Sequence, residues 1–265
     1  MNSTFIRGTI KTSLQRIGID VMRHGTYQRV ESQSQFSEFV SYPRLLKFLE
    51  CLPPEHVHRS LHLRSESRSQ ILQDLFVLSQ TNFKECGYFV EFGAADGTRL
   101  SNTYLLEKKF HWEGIAAEPA RVWHDALRRN RNCHIEVSCV WSSTGQALPF
   151  AESALHELST VAGRSDAKPR GFRRAYDVPS ISLLDLLAKY DAPRNIDYLS
   201  IDTEGSEYEI LKAFDFAEYR IGIVTCEHNY QPHREQIWKL MLGAGYRRVL
   251  AELSEFEDWY VLDQA

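Results

Sequence analysis

The sequence predicts an α/β fold: a doubly wound parallel sheet covered by helices on both faces, with an N-terminal helical extension. Three observations predict it. From residue 69 onward, short apolar runs of strand length alternate with segments of helical period. Residues 87–97, Gly-Tyr-Phe-Val-Glu-Phe-Gly-Ala-Ala-Asp-Gly, run a buried strand into a glycine turn, and a helix-like segment over residues 101–108 follows directly. Four of the strands end in carboxylates, at Glu91, Glu118, Asp202 and Glu227. That places acids along the carboxyl edge of the sheet, where open α/β folds bind their ligands.

The totals set limits. A chain of 265 residues accommodates one large α/β domain and an accessory segment, and 43% hydrophobic with 25% charged residues is ordinary for a globular protein. A net charge of −4 argues against nucleic acid as a partner. The five cysteines, Cys51, Cys86, Cys133, Cys139 and Cys226, are odd in number and form no Cys-x-x-Cys. This suits a reduced, cytoplasmic chain without disulfides or a zinc site. No apolar run approaches the roughly 20 residues that span a bilayer, and no secretory signal is evident.

Residues 1–68 read as a helical extension and linker, and residues 69–265 as the α/β domain. Phe5, Ile6, Ile10, Leu14, Ile17 and Val21 recur at helical spacing, with Arg7, Lys11 and Arg16 on the remaining surface. A helix docked on its own domain, or on a second subunit of a homo-oligomer, fits this pattern. A basic amphipathic helix at the inner face of an anionic membrane also fits, less simply. A short helix over residues 44–52 is stopped by Pro53-Pro54. Residues 56–69 read as an exposed loop whose His56, His58 and His62 are too loosely placed for metal ligands.

An amphipathic helix over residues 69–78 leads into the first strand. The second strand, residues 114–117, ends in Glu118-Pro119, and a helix over residues 122–130 leads to a third strand, residues 134–140. Residues 151–179 form a long polar insert. A helix over 181–190, strands over 196–201 and 221–226, a helix around 237–242, and a closing hairpin of 246–250 and 259–262 complete the pattern.

The glycine spacing narrows the ligand. A dinucleotide fingerprint needs Gly-x-Gly-x-x-Gly, but Ala95 fills the middle place. Glu91, just before the turn, would repel a pyrophosphate; it suits the ammonium of an amino-acid tail whose carboxylate takes the helix amides. Glu118, at the end of the second strand, can accept both ribose hydroxyls of a nucleoside. Residues 196–211 contain Ile-Asp-Thr-Glu-Gly-Ser-Glu, in which a buried strand delivers Asp202 and Glu204 to the sheet edge and Gly205 turns the chain into a helix. Helix-start preference accounts for one acid there, but not comfortably for two at a strand end.

The corner at residues 89–97, Ser101-Asn102-Thr103, Glu118-Pro119 and residues 201–207 occur in the order of the FkbM family of S-adenosylmethionine (SAM)-dependent methyltransferases, which residues 69–262 resemble. The resemblance implies a Rossmann-like, seven-stranded methyltransferase sheet and SAM held by Glu91, Gly93, Asp96, Gly97, Asn102, Thr103, Glu118 and Val140. It further implies O-methylation of a hydroxyl on a sugar, glycan or glycosylated natural product. The layout is also similar to metal-dependent sugar and catechol O-methyltransferases. On that likeness Asp202, Glu227 and Asn229 (or His228) would hold a hard divalent cation such as Mg. This chain lacks their clear pair of carboxylates after the fifth strand. The proton acceptor is then Glu204 or His228, with Asp202 orienting the site.

Within the insert, Arg164, Lys168, Arg170, Arg173 and Arg174 outnumber Asp166 and Asp177, which suits an acceptor bearing phosphate or a solvated loop equally. Two other readings remain open: a non-catalytic SAM-binding scaffold, which would have no need of the acids, and a nicotinamide oxidoreductase, which Ala95 disfavours.

Overall fold

Two helices open the described chain, and both carry a proline in the first turn. The computed structural model describes residues 41–153, 159–161 and 172–263. The chain divides into two units, residues 1–39 and 40–265, and all described residues belong to the second. The helix expected over residues 5–21, and Arg164, Asp166, Lys168 and Arg170, lie outside the described residues. No described helix is long and apolar enough to cross a membrane.

Helix α1 (Tyr42–Glu50) carries a proline in its first turn, and α2 (Pro54–Leu63) begins at Pro54. Residues 56–63, expected as an exposed loop, are therefore helical. Proline at the first helical position lacks only an N–H that would be unpaired anyway, so Pro53-Pro54 ends one helix and opens the next. Helix α3 (Gln73–Gln80) was expected to be amphipathic, yet Gln73 through Ser79 are all buried. It lies between the α1–α2 pair and the sheet, in a cluster that joins Phe48, Leu52 and Leu63 to Phe89, Tyr198, Ile223 and Trp259. The rings of Phe76 and Trp259 stack at 4.6 Å.

Along the chain follow β1 (Tyr88–Phe92), α4 (Tyr104–Phe110), β2 (Glu113–Ala117), α5 (His124–Asn130), β3 (His134–Glu136), β4 (Cys139–Trp141), β5 (Ala147–Ser153), β6 (Thr160–Val161), β7 (Phe172–Ser182), α6 (Leu183–Lys189), β8 (Asn195–Ile201), α7 (Glu207–Ala213), β9 (Arg220–Glu227), α8 (Arg234–Gly243), β10 (Tyr246–Val249) and β11 (Glu257–Leu262).

The main sheet has seven strands in the order β10-β11-β9-β8-β1-β2-β3. All pairs from β9 to β3 are parallel, and β11 is antiparallel to both β9 and β10. This is the doubly wound sheet with closing hairpin that the sequence predicts. Both faces are covered, as a parallel sheet requires. Alternate residues of β1 go to opposite layers: Phe89 to the α3 side, and Val90 and Phe92 to a second core with Leu186, Leu211, Ile237 and Met241. From β1 the chain moves outward to β2 and β3, then returns to lay β8 on the other side of β1. The carboxyl ends of β1 and β8 therefore flank the topological switch point.

The expected third strand, residues 134–140, splits in two. Glu136 is buried, and its Oε1 accepts from the N–H groups of Val137 and Ser138, both at 2.8 Å. That local bond turns the chain out of the main sheet, so β4 joins a separate sheet of order β4-β7-β5-β6. The described flanks of the supposed polar insert are strands of this small sheet, with β5 and β7 antiparallel.

Candidate active site

The corner after β1 is shaped by contacts that tolerate no side chain. Gly93 has φ +74°, and a Cβ on it would lie 2.1 Å from the carbonyl oxygen of Asp202. The ends of β1 and β8 thus touch through their backbones. Gly97 has φ +79°, and a Cβ there would lie 2.6 Å from Arg131 Cγ. Between them Ala95 takes a positive φ of 46°, and its N–H donates to Glu118 Oε2 at 2.8 Å. Asp96 Oδ1 accepts from the N–H groups of Thr98 and Arg99, both at 2.8 Å, which closes the turn.

Glu91 is engaged from within the chain. Its buried carboxylate accepts from the hydroxyls of Ser101 (3.0 Å) and Thr103 (2.7 Å), the N–H of Asn102 (2.7 Å) and Arg131 Nη1 (3.1 Å). Arg131, also buried, donates through Nε to Glu107 Oε2 at 2.5 Å and through Nη2 to the Thr103 hydroxyl at 2.7 Å. Burial works against its charge, but the carboxylates of Glu91 and Glu107 more than offset this and hold its pKa above the ordinary arginine value. Asn102 donates to Ser200 Oγ at 2.9 Å, linking this loop to β8. Arg131 was absent from the sequence reading; an arginine closing a surface helix carries no local signal that it faces two buried acids.

A pocket opens at the switch point. Gly93, Glu118 and Val140, three of the residues expected to hold the cofactor, line it together with Asp202 and Glu204. Glu91, Asp96, Gly97, Asn102 and Thr103 are not among its lining residues; their bonds build the turn and loop beside it. The sequence reading missed Ala95, Leu100, Cys139, Thr203, Phe150 and Val161. The last two belong to the small sheet, Val161 within the stretch read as polar insert and Phe150 at its edge. Burial pushes the Glu118 pKa up to about 7, against the pull of the amides of Ala120 and Ala95.

Asp202, Glu204 and Glu227 converge, with one carboxylate oxygen from each lying within 4.8 Å of the others. The turn that presents them is stapled by Glu207, whose Oε1 accepts from Thr203 N–H (3.1 Å), the Thr203 hydroxyl (2.9 Å) and Gly205 N–H (3.0 Å). Burial raises all three acids: Asp202 to about 6, Glu204 to about 8 with help from Asp202 and Glu207, and Glu227 well above the carboxylate range with help from Asp202 and Glu204. Behind them, Glu257 lies opposite Glu227 across the β9–β11 ladder. It is buried, pushed up to about 8, and accepts from Gln73 Nε2 (2.8 Å) and Trp259 Nε1 (2.9 Å).

Two expected site residues stand elsewhere. Asn229 is exposed at φ +42° and does not line the pocket; among the acids, Glu204 stands with Asp202 and Glu227. His228 is buried but does not line the pocket: its Nδ1 accepts from Tyr230 N–H at 2.9 Å, and its Nε2 faces Asp258 at 3.8 Å. Burial lowers its pKa, with Arg234 adding to the effect against the pull of Asp258. Arg174, one of the insert's cations, is taken up by Glu152.

A family model described as the methyltransferase FkbM domain matches residues 91–255, from the corner carboxylate to the turn before β11. The chain belongs to the FkbM methyltransferase family. SAM is the methyl donor that membership implies, and the pocket suits it: each Glu118 oxygen accepts one amide bond and keeps a lone pair for a ribose hydroxyl. Among solved structures the chain is similar to precorrin-6y C5,15-methyltransferase from Geobacter metallireducens GS-15, at 12% identity and TM-score 0.38, over 66% of this chain and 72% of that one. It is also similar to a chain of the fibrillarin/Nop5p complex, at 13% identity and TM-score 0.38, over 68% of this chain and 73% of that one. No curated protein matches.

Proposed function

We propose that this FkbM-family methyltransferase transfers a methyl group to a hydroxyl of a sugar or glycan. One observation carries the reading: the pocket that holds Gly93 and Glu118 on one side holds Asp202 and Glu204 on the other. A nucleoside and a proton acceptor can thus share one cavity. The sulfonium of SAM supplies an already electrophilic methyl group, so the protein has only to align the acceptor oxygen and remove its proton. Glu204, with a pKa near 8, is a base of suitable strength close to neutral pH. The proton leaves the hydroxyl for this carboxylate as the oxygen–carbon bond forms and the carbon–sulfur bond breaks. The products are a methyl ether and S-adenosylhomocysteine (SAH).

A hard divalent cation such as Mg2+ also fits the oxygen donor set of Asp202, Glu204 and Glu227, whose mutual repulsion it would relieve; with it bound, Glu204 would be a ligand in place of the base. Bound there, it would lower the pKa of the acceptor hydroxyl. A sugar is supported by the balance of the described lining, in which Glu118, Asp202 and Glu204 face a single cation, Arg99. Hydroxyl donors suit such a wall better than phosphate does. The test is methyl transfer from labelled SAM to a panel of free, lipid-linked and nucleotide-linked sugars, with and without chelator. Ether formation on one of them is expected. SAH binding without transfer to any hydroxyl would favour the non-catalytic scaffold instead, and loss of activity with chelator would identify the cation as required.

A further inference from the structure

A tyrosine outside the pocket holds the pocket's second wall. Phe150 and Val161, which close the slot, sit on the small sheet, whereas Glu118 and Pro119 sit on the loop after β2 of the main sheet. No strand pairs directly across the gap between these walls; the loop packs on the small sheet through Ala120, which shares a core with Phe150 and Val161. Tyr176, on β7, spans the gap. Its hydroxyl accepts from the Arg121 N–H at 3.0 Å and donates to Glu152 Oε2 at 2.8 Å. Glu152 is buried on β5 and is held in turn by two bonds of 3.1 Å from Arg174. The Tyr176 ring packs on Phe150 with centroids 5.8 Å apart. The Arg121 guanidinium lies 4.2 Å from the same ring and donates to the carbonyl of Asp177 at 3.2 Å.

We propose that Tyr176 is a positioning residue for the cofactor half of the pocket: its hydroxyl clasps the loop that follows Glu118 to the small sheet and so sets the width of the slot between Glu118 and Phe150. A hydroxyl that accepts from one element and donates to another fixes the distance between them, which a ring contact alone does not. Arg121 lies three residues after Glu118 and two after Pro119, so slack in the clasp passes directly to the ribose end of the slot. The inference rests on reading this slot as the SAM pocket. It is independent of which acceptor is methylated.

The test is Tyr176→Phe, which keeps the ring and its packing and deletes only the hydroxyl. Calorimetric titration with SAH is expected to show about tenfold weaker binding, the usual scale for losing a bridging hydrogen-bonded group. The melting transition should stay cooperative. With an acceptor in hand, KM for SAM rises by the same factor while kcat holds within about twofold. A second pair of variants isolates the bond from the other side. Arg121→Ala keeps the backbone N–H but removes the guanidinium's bond to the Asp177 carbonyl and its contact with the Tyr176 ring, so it measures the side chain's share of the clasp alone. Arg121→Pro removes that N–H as well, and should bind SAH about tenfold more weakly than Arg121→Ala, the same factor as Tyr176→Phe against wild type. Proline is tolerated there because Arg121 is the second residue of the turn closed by Trp123 N–H to Ala120 O.

Unchanged SAH affinity in Tyr176→Phe, or a fall in kcat with affinity unchanged, overturns the clasp. If Tyr176→Phe does not fold, equal affinities for Arg121→Ala and Arg121→Pro overturn it. Failure of the wild type to bind SAH would overturn the cofactor pocket itself, and the clasp with it. Failure to methylate sugars would leave both standing.

Discussion

Asp202 is crowded by acids, with Glu204 two residues on and Glu227 at the end of the neighbouring strand. Such a group is costly to keep unless it has work to do at that place. Replacing Asp202 or Glu227 by alanine is expected to abolish methyl transfer while SAH binding, read by calorimetry, stays within a few-fold. Full activity in either variant would remove the acids from the reaction. Arg131 carries the opposite sign and a different task. It is the buried counter-charge for both Glu91 and Glu107. Arg131→Met should cost about 3–5 kcal/mol, because it strands buried carboxylates without a partner. Denaturant unfolding of the two proteins measures that difference. Glu118 and Asp202 were legible in the sequence because they end apolar strands. Arg131 and Glu257 were not, because nothing near them in the chain shows what they face.

Among the elements, the glycine corner constrains the site most. Gly93 is required twice, by its positive φ and by the 2.1 Å that a Cβ would leave to the Asp202 carbonyl. Gly93→Ala must therefore push the β1 end away from the β8 end, and the two halves of the pocket separate with them. Loss of measurable SAH binding is expected, together with a melting temperature lowered by several degrees; retention of SAH affinity would show that the two strand ends need not touch. Helix α3 shows where element-level pattern fails. Its apolar run was read as one face of an amphipathic helix, but the α1–α2 pair covers the other face. The split of β3 from β4 was equally hidden, since a single buried glutamate bonded to the next two amides ends the strand and opens another.

Over the whole molecule, the buried acids of the site link stability to pH. Glu118 near 7 and Glu257 near 8 both have folded pKa values raised above those of the unfolded chain, mainly by burial. The protonated forms are favoured by folding, so this stabilisation is complete below about pH 4.5 and disappears as pH rises through 7 to 8. In chelator-containing buffer the melting temperature is expected to fall between pH 5.5 and 8.5, on the order of several degrees. Scanning calorimetry checks it, and a flat profile would show that these groups do not titrate as their burial requires. The sequence by itself determined the alternation of strands and helices, and with it a sheet whose carboxyl edge gathers acids. Periodicity and strand-end residues are local properties that the chain displays directly. Only the tertiary structure decided that Glu204 joins Asp202 and Glu227 while Asn229 is left exposed, that Glu91 meets Arg131, and that Tyr176 ties the small sheet to the loop after Glu118. Those outcomes depend on left-handed turns at Glu204 and Asn229 and on which strands pair across long separations. A turn of that kind redirects a side chain without changing the pattern of residues around it.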